Sequence, residues 1–300
     1  MSGCGTTTRQ SGGGVRDSLL VGLVGGSPAC AALSEDAYNQ ISFFGRPVEL
    51  ELSADHGATD SMELARRKIA EELIARAEDH QTPLIASIPD WSGPMLVPAA
   101  RELLSRGAQA ELDFRGRVDL AQSEEALFKT LRKSTRQRVR RSRSILEPGT
   151  EIINSRSPVD ARMAELREFH LEVAGRVTRP EESWKVMAEE ICDGFAEAIF
   201  CRLDGRLVAA TFVRLGKWVA EAGTSVYARD RFDLPLGHWP KWLSIMRARQ
   251  RGLTRFMLYG IYPDPKNSSQ KLRRIGEFKR GFASDFEVAL NFNLKPSAGL

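Results

Sequence analysis

A carboxylate in an apolar strand, two tyrosines at strand ends and a dense run of guanidinium groups are the residues of this chain whose type and spacing could do chemistry. Glu221 lies in WVAEAGTSV, where it alternates with apolar neighbours on a predicted central strand. Burying a carboxylate without a partner is costly. Glu221 therefore either takes a proton from a substrate, directly or through water, or pairs with an arginine. Tyr227 and Tyr259 end predicted strands, where their hydroxyls either orient a substrate or simply pack in the sheet. The stretch Lys129 to Arg143, KTLRKSTRQRVRRSR, holds eight Lys/Arg and no acid. The whole chain is only +4, so everything outside that stretch sums to −4. Guanidinium forks bind phosphate oxygens bidentately. Arg132, Lys133, Arg136 and Arg140 are thus candidates to hold an anionic substrate. The plainer alternative is a solvated helix face balanced by acids elsewhere.

Other polar residues offer less. His170 follows Phe169 on a predicted helix, where a lone histidine is usually structural. His238 precedes Trp239 at a helix start and is placed either to bind an anion or to pack. Asp119 ends a strand, where it anchors an arginine, starts a turn or acts as a base. Four cysteines and four histidines are scattered, without zinc-knuckle or CxxC spacing, so no metal is expected. No Ser-His-Asp spacing stands out, and Cys201 sits inside a predicted strand. Amide formation by direct attack of an amine on an activated acyl group needs no such nucleophile. It needs alignment, proton uptake and charge stabilisation.

The elements that must position these groups follow from periodicity and turn residues. At 300 residues, two domains are expected. Residues 1–17, rich in Gly, Ser and Thr, read as a disordered tail. Leu19 to Gly26 reads as a buried strand, and Ile41 to Leu52 as a strand pair around Gly45 and Arg46. Residues 60–79 form an amphipathic helix with Met62, Leu64, Ile69, Leu73 and Ile74 on its apolar side. A strand at Pro83 to Asp90, a helix at Pro98 to Arg106 and a strand at Gln109 to Leu120 make this half α/β. One long helix from Glu124 or Glu125 carries the basic stretch until Pro148 and Gly149 break it. The second half then predicts helices at 159–174 and 180–193, and a meander at 196–226 turning at Asp204-Gly205. A helix at 237–251, a strand at 255–259, a short helix at 267–275 and a strand at 282–293 close the chain. No stretch of about 20 apolar residues is present to cross a membrane.

The order of the second half resembles the Gcn5-related N-acyltransferase fold, and the chain resembles that fold's double-domain branch, the FemAB-like and BioF2-like families. Four segments carry the likeness: RVDL (Arg117 to Leu120) followed by EEALFKTLRKSTRQRVRRS, then LREFHLEVAGR, then the hairpin FCRLDGRLVAATFV, and finally EFKRGFASDFEV. The likeness runs from about 115 to 290. Two departures stand out: Ala283-Ser284 replaces a usual glycine, and Ala222 to Trp242 lacks the Q/R-x-x-G-x-G/A loop that holds pyrophosphate of acyl-CoA. The resemblance implies two acyltransferase-like α/β domains with mixed sheets flanked by helices. A degenerate one at 18–122 and a second at 148–296 are joined by a basic helix at 123–147. It implies that the basic helix flanks a cleft and that Lys279 neutralises developing charge. The implied function is N-acyl transfer to an amine of a phosphorylated sugar, envelope precursor or peptide. The donor is acyl-CoA or aminoacyl-tRNA as a cosubstrate, with no tightly bound cofactor. Expected partners are that anionic or envelope-precursor substrate, a tRNA and a peripheral membrane surface, in the cytoplasm. Nothing in the sequence sets an oligomeric state. The competing expectations are a non-catalytic nucleic-acid or polyanion-binding protein, or a degenerate transferase serving as a scaffold.

Overall fold

The antiparallel meander at the heart of this protein forms because its first turn has the residues its backbone demands. Asp204 and Gly205 adopt φ of 53° and 78°. That left-handed pair matches the twist of a two-residue hairpin, and Gly tolerates it without strain. The computed structural model describes residues 5–10, 16–24, 27–35, 41–42, 48–49, 60–88, 96–216, 218–261 and 269–295, with side chains at residue 64 and from 66 onward. The chain divides into two units, Met1–Asp113 with Glu287–Leu300, and Phe114–Phe286.

The elements run in order as β1 (Gly5–Gln10), β2 (Arg16–Val24), β3 (Ser27–Glu35), β4 (Ile41–Ser42), β5 (Val48–Glu49), α1 (Asp60–Asp79), β6 (Leu84–Ile88), α2 (Pro98–Ser105) and β7 (Gln109–Asp119). Next come α3 (Glu124–Thr130), α4 (Lys133–Leu146), β8 (Thr150–Ile153), α5 (Val159–Ala174) and α6 (Glu181–Cys192). The chain continues through β9 (Ala196–Leu203), β10 (Arg206–Leu215), β11 (Val219–Tyr227), α7 (His238–Gln250), β12 (Arg255–Leu258), α8 (Gln270–Arg280) and β13 (Asp285–Leu294).

In the first unit, β1, β2 and β3 form an antiparallel ladder, so the expected structureless tail carries a strand at Gly5–Gln10. Residues 1–4 and 11–15 of that tail lie outside the described residues. Among the described residues of 41–52 the expected strand pair is not seen: Ile41 of β4 and Val48–Glu49 of β5 each pair in parallel with β6. Alternation of the VELEL kind specifies a half-buried strand but not its partner. Its proposed turn, Gly45 and Arg46, lies outside the described residues. Helix α1 buries Ile69, Ala70, Leu73, Ile74 and Ala77 in one cluster with α2, β6 and β13. Leu64, expected on that side, is exposed.

The second unit is a mixed sheet in the order β7-β12-β11-β10-β9-β8. Strands β9 and β10 are almost wholly buried, so helices must cover both faces. Ion pairs of Arg202 with Glu165 and of Arg214 with Glu190 tie one face to α5 and α6. On the other face α7 packs against β9 and β10 and also against α4. The strand β8, which no sequence signal announced, extends the sheet beside β9.

The basic stretch is not one helix. Leu131 and Arg132 are extended, with ψ of 144° and 147°, and divide it into α3 and α4. A continuous helix would stack Lys129 against Lys133 at i and i+4, a repulsive spacing that the break removes.

Glu197 on β9 is completely buried and accepts from Arg247 at 2.7 Å and from Arg251 at 3.0 Å. Glu197→Gln leaves both guanidinium groups without that counter-charge. It should cost about 3 kcal/mol, measured as a lower urea midpoint with an unchanged m-value.

Candidate active site

Strands β11 and β12 run parallel and pair only over Val219–Glu221 and Arg255–Met257. Beyond this β11 continues along β10 to Tyr227, while β12 ends at Leu258 against Gly116 of β7. No further β11–β12 pair forms among the described residues, so the two strands part at Glu221. On β10 the register shifts between Thr211 and Val213, which sets Phe212 opposite two residues, Gly223 and Thr224. A Cβ on Gly223 would lie 2.8 Å from the Phe212 ring and from its carbonyl oxygen, so only glycine fits this bulge.

Three sequence-predicted residues meet where the strands part. The Tyr259 hydroxyl donates to Glu221 Oε1 at 2.9 Å. Lys279 Nζ donates to the Tyr259 carbonyl oxygen. Glu221 is the last residue of β11 to pair with β12, opposite Met257, and Tyr259 follows two residues on, just past the end of β12. Lys279 arrives from the last turn of α8, which the sequence predicted to stop at 275. Ser269 caps the start of α8 by accepting from the Leu272 N–H at 3.3 Å. Arg115 on β7 was not singled out from the sequence. It is 1% exposed, and its guanidinium lies 5.1 Å from the Tyr259 ring centroid.

The C-terminal end of α8 is seated by a close approach to α4. A Cβ on Gly281 would lie 2.6 Å from Thr135 Oγ1, so the bare glycine lets the two helices touch. Phe278 and Phe282 then pack against His238, with ring centroids at 5.1 and 5.9 Å. Tyr227 joins this group, 6.4 Å from Phe278. Its hydroxyl is pushed to higher pKa by burial, partly offset by the Ser225 and Thr211 hydroxyls. Tyr227 is thus linked to the fork through Phe278, the residue beside Lys279. Burial drives His238 down to about 4, with the Arg138 charge adding to the effect and a bond to the Pro235 carbonyl opposing it. A neutral imidazole has no charge to offer an anion. The adjoining Trp239 N–H is committed to Ser142 Oγ at 3.0 Å. The start of α7 is therefore tied to α4, in keeping with the absence of a pyrophosphate loop in the sequence.

The basic residues divide by task. Arg136 donates to the carbonyls of Lys129 at 2.9 Å and Leu131 at 2.5 Å, closing the open end of α3. Arg143 pairs with Glu147 and lies 4.9 Å from the Trp239 ring centroid. Arg140 stacks on Phe128 at 5.3 Å. Arg136 and Arg140 line a recess of about 710 Å³ with Glu124, Glu125, Phe128 and Lys129. Glu221, Tyr259 and Lys279 are not among its lining residues. Arg132 and Lys133, at the start of α4, are exposed.

The remaining candidates are structural. The Asp119 carboxylate accepts from the Ala121 N–H at 3.1 Å and starts the turn before α3. His170 contacts Thr178 at 3.4 Å and stands edge-on to Trp184. Burial pushes the Cys201 thiol up to about 11, so it remains protonated and unfit as a nucleophile at neutral pH. Among the described residues no cluster of His, Cys, Asp or Glu could hold a metal ion, and no helix is long and apolar enough to cross a membrane.

The sequence matches no family model and no curated protein. Solved structures match its fold. FemX superposes with a TM-score of 0.58 at 13% identity, over 97% of this chain and 88% of that one. L-PGS from Bacillus licheniformis gives 0.52 at 13%, over 91% and 83%. The C-terminal DUF2156 domain of an Agrobacterium fabrum protein assigned as a lysylphosphatidylglycerol synthetase gives 0.51 at 14%, over 96% and 84%. The chain thus has the α/β architecture, mixed sheet flanked by helices, that the resemblance to the FemAB-like and Gcn5-related folds implied. At these identities the likeness is one of fold.

The pKa of His238 is lower folded than its ordinary 6.5, so the unfolded chain binds its proton first as pH falls. Stability is complete above about 6.5 and is lost towards pH 4, by about 3 kcal/mol from this group. Denaturant titrations across that window should show this slope flattened in His238→Gln. Arg136→Met should lower stability by about 1–2 kcal/mol by uncapping two carbonyls. Arg132→Met, at an exposed position, should leave the thermal midpoint within a degree.

Proposed function

We propose that this protein transfers an acyl or aminoacyl group from an activated donor to an amine by direct attack. The meeting of Glu221, Tyr259 and Lys279 where β11 and β12 part carries this reading. A carboxylate, a phenol and an ammonium within one hydrogen-bonded group suit the three needs of amide formation. Glu221 takes the proton of the attacking amine. Tyr259 orients the reacting groups. Lys279 supplies positive charge beside the developing oxyanion. The nitrogen–carbon bond forms as the donor's thioester or ester bond breaks, and no enzyme nucleophile intervenes, which agrees with the protonated state of Cys201.

The acceptor is an amine of a phosphorylated sugar, a cell-envelope precursor or a peptide. The donor is acyl-CoA or aminoacyl-tRNA, and the engagement of the α7 start by α4 favours the latter. Arg132, Lys133 and Arg140 contribute charge to hold the phosphorylated substrate, with Tyr227 shaping the aromatic side. The first unit is taken as a degenerate second copy of the same fold, and the protein as cytoplasmic with contact to a membrane surface. The fold shared with FemX and the lysylphosphatidylglycerol synthetase domain supports group transfer on this architecture.

A second reading, polyanion binding without chemistry, is favoured by one observation. Arg132, Lys133, Arg138 and Arg141 are exposed within ten residues of one another. Duplex binding that collapses with salt, with no transfer to any amine, would select it. A degenerate transferase acting as scaffold would show neither.

Mass spectrometry of co-purified ligands, followed by a screen of acyl donors against amines, tests the proposal. Glu221→Gln, Lys279→Met and Tyr259→Phe should each lower kcat by about 100-fold. Unchanged turnover in the first two variants sinks the assignment.

A further inference from the structure

We infer that Arg115 is the positioning residue of this site, a buried cation that holds Tyr259 to Glu221 and makes its hydroxyl a proton relay; the inference rests on the acyl-transfer reading above. Arginine keeps its charge at any ordinary pH, and a fully buried one is retained only against strong compensation. Arg115 is 1% exposed and 5.1 Å from the centre of the Tyr259 ring. The hydroxyl of that same ring donates to Glu221 Oε1 at 2.9 Å.

Register fixes this arrangement. Leu258 of β12 faces Gly116 of β7, so the next residues outward, Tyr259 and Arg115, come side by side. Gly116 is a close-packed position, where a Cβ would lie 2.8 Å from Ile261. The strand bearing Arg115 is thereby held against the segment bearing Tyr259. A cation at a phenol face attracts the ring and sets its plane. It also lowers the energy of the phenol as its proton departs.

Three charged groups in contact with Tyr259 are Glu221 from β11, Arg115 from β7 and Lys279 from α8. Glu221 opposes ionisation of the phenol, and the two cations favour it. Lys279 acts at the backbone carbonyl, whereas Arg115 acts at the ring. In the relay, the amine nitrogen bonds to the donor's carbonyl carbon and gives its proton to Tyr259 Oη. The phenolic proton passes to Glu221 Oε1. The bond to the donor's sulfur or oxygen then breaks with its electron pair, and that atom takes the proton from Glu221.

Tyrosinate absorbance of the full chain, titrated with pH, tests the inference without a substrate. The chain has four tyrosines, so the difference from Tyr259→Phe isolates the one of interest. A cation about 5 Å away should move the midpoint by about one pH unit or more. Arg115→Met should raise the Tyr259 midpoint by that amount, and Arg115→Lys by less. Circular dichroism reports whether each variant folds. An unchanged midpoint in folded Arg115→Met overturns the inference. If that variant does not fold, an unchanged midpoint in Arg115→Lys does so, and failure of both to fold assigns Arg115 to structure alone. A shifted midpoint in a protein that transfers nothing sinks the acyl-transfer reading and spares the coupling. Normal transfer with a static midpoint sinks the Arg115 role alone.

Discussion

The parting of two parallel strands is the constraint on which this structure turns. In a sheet, each strand edge is satisfied by its neighbour, and opening one leaves main-chain groups to be satisfied otherwise. Here β11 leaves β12 after three paired residues, and Glu221 marks the last of them. The bulge opposite Phe212 bends β11 at that place, and Gly223 is the residue small enough to permit it. Everything assigned to the site depends on this opening. Glu221 ends the paired stretch, and Tyr259, two residues past the Met257 opposite it, donates its hydroxyl to the carboxylate. Lys279, from the last turn of α8, reaches the Tyr259 carbonyl oxygen.

The helix α4 answers to two demands at once. Its buried stripe, Thr135, Val139, Ser142 and Leu146, packs against α7 and β9. Ser142 takes the Trp239 N–H, and Thr135 receives the bare backbone of Gly281. The same helix carries six Lys and Arg and no acidic residue. Those charges are not equivalent. Arg136 closes a helix end and Arg143 is engaged by Glu147 and Trp239, while Arg132 and Lys133 stand in solvent. A charge count treats these groups alike. Packing sorts them into scaffold and surface.

Much of the second unit was legible in the sequence, because its signals are local. Asp204-Gly205 specifies a tight hairpin, the short apolar runs Ala198–Cys201 and Leu207–Ala210 on either side of it specify buried strands, and the meander from 196 to 227 follows from these signals. The first sixty residues were less legible, since alternation names no partner strand, and β4 and β5 joined β6 instead of each other. The basic stretch read as one helix because periodicity survives a two-residue break. The capping by Arg136 that stabilises the break is a contact over five and seven residues that no pattern announces. Strand β8 was too short to register.

The site divides in the same way. Residue type and position marked Glu221, a carboxylate in an apolar strand, and Tyr259, a tyrosine at a strand end, while Lys279 was marked by the resemblance of its segment EFKRGFASDFEV to the FemAB-like families. The sequence therefore determined the fold class, the chemical groups and the excess charge. Only the tertiary structure decided which of these groups meet. Glu221 and Tyr259 are 38 residues apart, and Arg115 reaches the same ring from a strand far earlier in the chain. Their approach is set by sheet register, a long-range property, and the guanidinium groups were divided between capping and solvent by helix packing, which no short window of residues encodes.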